Sequence, residues 1–211
     1  MPATGRRKPG RPPAAKADET RKRILRAARL VFSERGYEGA TFQAIAVRAD
    51  LTRPAINHYF SSKRVLYREA LAQTAELIFG AGIAQADRET TLMPRLTGFI
   101  SAAVAVNTEY PSASAFLMGS ILESQRHPEL NQADNDAVTL CREFLTRVVN
   151  EAIERNELTA GIDASALVET LLVVMCGVGF YAGFVHSYPE FQPITAMLGQ
   201  LLDGALLQPG D

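Results

Sequence analysis

The sequence predicts an all-α protein of about nine helices, and three observations carry that prediction. Apolar residues recur three and four positions apart through most of the chain, as with Ile24, Leu25, Ala28, Val31 and Phe32. The periodic segments are parted by helix-stopping pairs: Tyr110-Pro111, His127-Pro128, Ala160-Gly161 and Tyr188-Pro189. No segment alternates cleanly enough for a strand, and no internal repeat is visible.

Residues 1–17, rich in Pro, Ala, Gly and cations, bury too little apolar surface to fold and are expected to form a flexible basic arm. A helix over 18–36 follows, with Asp18 able to cap its start and Gly36 its end. Thr41 caps the next, whose inward face is Phe42, Ile45 and Ala46. Thr52 opens a short third helix, and residues 61–80 form a long fourth. The first domain therefore spans 18–80, with a helix-turn-helix over 41–60, and a second helical domain spans 81–211. Its helices are expected near 91–107, 112–125, 130–156, 163–186 and 192–207.

The net charge of -1 hides a division along the chain. Residues 1–68 hold 16 Lys and Arg against five acids, a net +11, whereas the remainder holds six against 18, a net -12. One end is suited to a polyanion and the other is not. Cys141 and Cys176 lie in apolar contexts without CxxC pairing, which argues for buried free thiols in a cytoplasmic protein rather than a disulfide or zinc framework. The basic N-terminus lacks the apolar core of a secretory signal. The longest uncharged apolar run, Leu171 to Val185, is shorter than the roughly 18 to 20 residues of a bilayer span, so no membrane partner is expected.

The stretch "LTRPAINHYF", Leu51 to Phe60, carries the chemistry. At ~100° per residue, Arg53, Pro54, Asn57 and His58 fall on one face, and Ala55, Ile56, Tyr59 and Phe60 on the other. Pro54 sits in the first turn, where a missing N–H costs nothing. A short helix with a hydrogen-bonding outward face, preceded by another short helix and the tight connection "RADL", suits insertion into a major groove. There Asn57 can pair with adenine, Arg53 with guanine or phosphate, and Pro54 can pack on a thymine methyl.

Through "ILRAARLVFSERGYEGAT", "TFQAIAVRADLT" and "INHYFSSKRVLY", residues 18–80 resemble the DNA-binding domain of the tetracycline-repressor (TetR) family. The resemblance implies a dimeric transcriptional regulator, usually a repressor, whose helical C-terminal domain binds a small-molecule inducer. It further implies that Thr41 and Gln43 meet phosphate, that Thr52, Arg53, Pro54, Asn57 and His58 face the groove, and that Tyr59 and Lys63 bind backbone phosphates. Lys63 also lies in the first turn of the fourth helix, where free N–H groups favour an anion. The chain departs from the family at Asp50, where Gly is usual in the turn, at Asn57, where Tyr is usual, and at Tyr59, where His is usual.

Within the arm, "RRKPGRPP" resembles the Gly-Arg-Pro core of AT-hook peptides, so Arg6, Arg7, Lys8, Gly10 and Arg11 are candidates for an A·T-rich minor groove, against a plain solvated tail. In the second domain Phe99, Phe116, Met118, Phe144, Met175 and Phe180 occupy helical positions that suit either a core or an apolar inducer pocket, with Asn107, Glu123, Arg142 and His186 as polar candidates. The last two helices carry more than one apolar stripe, including Leu171, Val174, Val178, Met197, Leu198, Leu201 and Leu202, while Gly179 and Gly183 permit close approach. The family resemblance turns that surplus into a four-helix dimer interface, and two-fold symmetry then implies a palindromic operator on double-stranded DNA.

The expected function is a ligand-responsive regulator released from its operator by a largely apolar inducer. The alternative is a constitutive or architectural DNA-binding protein whose C-terminal domain only dimerises. The three histidines lack metal-ligand spacing and no nucleophile motif or phosphate loop appears, so neither an enzyme nor a cofactor is expected.

Overall fold

The computed structural model describes residues 13–130, 136–184, 193, 194 and 196–200, with side chains from Lys16 onward. Eight α-helices and one 3-10 turn follow in order: α1 (Pro13–Gly39), α2 (Phe42–Arg48), α3 (Arg53–Tyr59), α4 (Lys63–Ala86), α5 (Leu92–Glu109), α6 (Ala113–Arg126), the turn Pro128–Leu130, α7 (Ala137–Glu154) and α8 (Ala164–Phe184). Residues 193, 194 and 196–200 are also helical, and no strand occurs among the described residues.

Local chemistry sets most of these boundaries. The Thr41, Thr52 and Ser62 hydroxyls accept from the N–H of Ala44, Ala55 and Val65 at 3.1, 3.4 and 3.2 Å, capping α2, α3 and α4. Asp136 and Asp163 do the same for α7 and α8 through Val138 and Ala166. Gly36 breaks α1 with φ 68° and ψ 179°, so Tyr37, Glu38 and Gly39 leave the helix axis. The fourth helix outruns its expected end at residue 80 and continues to Ala86, because no breaker intervenes and Ile78, Phe79, Gly82 and Ala86 are buried. The long helix expected over 130–156 is shorter, since the Pro128–Leu130 turn precedes it and α7 begins at Ala137.

Two hydrophobic clusters organise the chain. The first joins α1, α2, α3 and the start of α4 around Ile24, Phe32, Ile45, Ile56, Phe60 and Tyr67. The second joins the rest of α4 to α5, α6, α7 and α8 around Phe79, Leu96, Phe99, Phe144 and Val148. α4 belongs to both and ties the head to the body. Phe116 of α6 belongs to the head's cluster, stacked 6.0 Å from Phe32 and edge-on to Tyr67 at 5.4 Å. Buried Arg29 adds a second tie, donating to Thr74 at 2.9 Å and lying 5.2 Å from the Tyr110 ring. Burial without a carboxylate partner pushes its guanidinium below the usual arginine range. α8 is, among the described residues, the one helix long and apolar enough to cross a membrane, six residues more than the apolar run marked in the sequence.

Candidate nucleic-acid interface and ligand cavity

The head presents α3 on a rigid base. Asp50 turns the chain between α2 and α3 with φ 50°, and Leu51 N–H closes the turn on Ala46 O at 2.9 Å. Beneath it Ile45, Ala46 and Ile56 have no exposed surface, and Phe60 is buried under the Arg21 guanidinium, 4.7 Å from its ring. The packing leaves Thr52, Arg53, Pro54, Asn57 and His58 exposed, with Thr41 and Gln43 exposed at the start of α2. Tyr59 is half-buried, edge-on to His58 with ring centroids 5.4 Å apart. Arg53 is exposed, which leaves its five guanidinium donors accessible from solvent.

Lys63 stands differently from the other candidates. Its ammonium donates to Tyr37 O at 2.8 Å and Glu38 O at 3.3 Å and lies 4.4 Å from the centre of the Tyr37 ring. The break at Gly36 frees these carbonyls from the helix, and they hold the ammonium. The arm residues Arg6, Arg7, Lys8, Gly10 and Arg11 lie outside the described residues.

The body contains an apolar cavity of about 60 Å³ between α4, α5, α6, α7 and α8. Phe99, Met118 and Met175, three of the pocket candidates, line it. Phe144 sits one layer behind, stacked on Phe99 with centroids 4.4 Å apart. The remaining candidates lie elsewhere, each for a physical reason. Phe116 fills the head's core, and Phe180 is 54% exposed on the far side of α8. Glu123 accepts the Tyr37 N–H at 3.3 Å in the joint between head and body. Asn107 clips α5 to α6 and α8, accepting from Ser114 N–H at 3.0 Å and donating to Ala182 O at 3.4 Å. Arg142 pairs with Glu169 at 2.6 Å on the surface. His186 falls outside the described residues.

Aliphatic residues such as Ile78, Ile100 and Leu117, which no sequence signal separates from ordinary core, complete the wall. Both cysteines of the chain also line it. Burial, with the Cys176 thiol nearby, pushes Cys141 up to about 12, and burial raises Cys176 as well.

The apolar surplus of α8 divides between partners. Leu171 is core, Val174 is half-buried, and Val178 and Gly179 line the cavity rather than an outer face. Gly179 and Gly183 serve packing within the chain. A Cβ on Gly179 would lie 2.9 Å from Met118 Sδ, and one on Gly183 would lie 2.7 Å from the backbone nitrogen of Ala115. The uncovered stripe is Val173, Phe180 and Phe184, at 72%, 54% and 51% exposed, with Phe180 and Phe184 in ring contact at 5.0 Å. In the helical residues that follow, Met197 is 53% exposed and Leu198 half-buried, while Leu201 and Leu202 lie outside the described residues.

Residues 24–70 match the family model described as bacterial regulatory proteins, tetR family. The HTH-type transcriptional regulator UidR of Escherichia coli strain K12 is 24% identical over 189 residues, covering 88% of this chain and 94% of that protein. The HTH-type transcriptional repressor AcnR of Corynebacterium diphtheriae is 28% identical over 170 residues, covering 73% and 88%. The fold matches that of the transcriptional regulator FadR from Bacillus subtilis, solved with stearoyl-CoA, at a TM-score of 0.67 and 18% identity, covering 84% of this chain and 96% of that one.

Proposed function

We propose that the chain is a DNA-binding transcriptional regulator of the TetR family, whose model matches residues 24–70, and that it acts as a cytoplasmic homodimeric repressor, released from a palindromic operator when an apolar ligand enters the body's cavity. The observation that carries this reading is the solvent-facing row Arg53, Pro54, Asn57 and His58 on a helix whose other face is anchored in the core of a strongly basic head. Arg53 and Asn57 read base edges, Thr41, Gln43, Thr52 and Tyr59 hold the backbone, and Lys63 reaches phosphate with the donor its carbonyl contacts leave over. The arm, with Arg6, Arg7, Lys8, Gly10 and Arg11, follows the adjacent minor groove.

The cavity supports ligand release over a constitutive role. At about 60 Å³ it holds on the order of four waters, too little for a long chain. Its wall includes two methionines, which are unbranched and adaptable, so an apolar ligand enters by parting Met118 from Met175. That movement acts on α4 and α6, which run from the cavity to the head. Acyl chains suit such a wall, and a like-folded regulator takes stearoyl-CoA. A ligand shifts the heads by no more than its preference for the opened body. Selection of duplexes from random DNA on the purified protein, followed by anisotropy titration with and without acyl-CoAs of graded length, tests the reading. A symmetric site that the ligands dissolve is expected; enrichment of no duplex would refute it.

A further inference from the structure

The joint between head and body is polar on one side, and one imidazole sits at its centre. Beyond the break at Gly36, the Tyr37 N–H is accepted by Glu123 Oε1 of α6. His127, the residue that ends α6, lies against Tyr37 with ring centroids 5.2 Å apart. Three carboxylates face it. Glu38 of the head and Glu123 of α6 stand 3.6 and 3.8 Å from Nε2, and Glu129 of the following turn stands 3.3 Å from Nδ1. The cations around the joint are Lys63 over the Tyr37 ring, Arg64 acting on the Tyr37 hydroxyl and Arg68, which donates to Glu129 O at 2.5 Å, all from α4, with Arg126 of α6 beside Glu123 and Gly36. Burial, with Glu129 and Glu38 nearby, pushes the Tyr37 hydroxyl up, which agrees with carboxylates converging on this spot.

A neutral imidazole has one N–H and one lone pair, so it can favour carboxylates at only one of its nitrogens. The protonated ring donates at both, and then draws Glu38 of the head toward Glu129 and Glu123 of the body. We infer that His127 is a positioning residue for DNA binding: its proton closes a head-to-body bridge through Glu38 and so holds α3 in the orientation seen here. This rests on the proposed function, in which the ligand-free orientation is the one that grips the operator. Acidification then strengthens operator binding and opposes release.

The exposed His58 lies on the face proposed to meet DNA, so the test starts from a His58→Gln parent. Operator affinity is measured by anisotropy from roughly pH 8 to roughly pH 6 at fixed ionic strength. The parent is expected to tighten about two- to fivefold, the range an exposed ion pair supplies. Adding His127→Gln is expected to flatten the profile, and adding Glu38→Gln to flatten it with His127 still in place. Parallel profiles for the parent and the His127→Gln variant would overturn the inference. A readout without DNA keeps the two readings apart: spin labels at Val47→Cys, on the exposed face of α2, report the distance between the two heads. That distribution is expected to narrow at low pH in the parent alone, and an equal response in His127→Gln would also overturn the bridge. Failure to bind any duplex faults the proposed function, while the label distances still decide on the joint.

Discussion

Asp50 holds a left-handed backbone, φ 50°, that L residues other than Asn and Asp seldom accept, and it places a carboxylate beside the surface meant for DNA. Asp50→Gly removes both costs at the expense of a more flexible unfolded chain. Stability is therefore expected to change by less than about 1 kcal/mol in urea unfolding, while operator affinity rises at low salt. Asn57→Ala leaves the fold intact because Asn57 is exposed, and is expected to cost about 1–3 kcal/mol of discrimination at one base position in competition titrations. Both residues were legible in the sequence: the left-handed turn from the usual glycine it replaces, and the face from helical spacing. Lys63 was legible only in part, since its capture by Tyr37 O and Glu38 O depends on how α1 breaks. Cys141, pushed up to about 12 by burial, has about one thiolate in ten thousand at pH 8, on the low side of its pKa. In a Cys176→Ser variant, native Cys141 is accordingly expected to react with a disulfide reagent orders of magnitude more slowly than in unfolded protein, and more slowly still with a ligand in the cavity. Equal native and unfolded rates in a thiol-release assay would contradict a buried Cys141.

At the scale of elements, α8 shows why helices are easier to find than their partners. Its start was legible to within a residue, because Asp163 caps it, and its apolar pattern runs on to Phe184. Which face meets which neighbour was not, since apolar residues occur all round the helix and periodicity selects no single stripe. Its sequence context suits Gly183 to close approach by a second chain, yet α6 of the same chain makes that approach: the backbone of Ala115 stands where a Cβ would be. The same ambiguity hid the joint, because nothing in the residue types of Phe116 or Glu123 says that α6 turns them toward the head rather than the cavity. Gly183→Ala forces two backbones apart and is expected to destabilise by about 1–3 kcal/mol in urea unfolding. Gly119→Ala on α6 meets nothing within 4 Å and is expected to be neutral or stabilising by up to about 1 kcal/mol. Similar unfolding curves for the two variants would mean that α6 and α8 do not pack this closely.

For the whole molecule, the division into +11 over residues 1–68 and -12 over the remainder separates an end suited to a polyanion from one that is not, and in the proposed dimer pairing bodies would bring two heads to one duplex. In that proposed dimer the uncovered stripe Val173, Phe180 and Phe184 is the surface suited to pairing, since more than half of each residue stays in water within one chain. Phe180→Glu places a charge in the middle of the stripe while touching none of the core, so the chain is expected to keep its helical circular dichroism and to sediment at the 23.0 kDa of a single chain. Binding to a duplex carrying half of the operator should be unchanged, because α3 rests on Ile45, Ala46 and Ile56, none of which is altered. Binding to the full operator should fall by about 10²- to 10⁴-fold, the gain that linking two heads supplies. A variant that still sediments as a dimer would move the interface elsewhere on the body. A true monomer that keeps full-site affinity would mean that one head reads the operator alone, and would remove the reason to expect a palindrome.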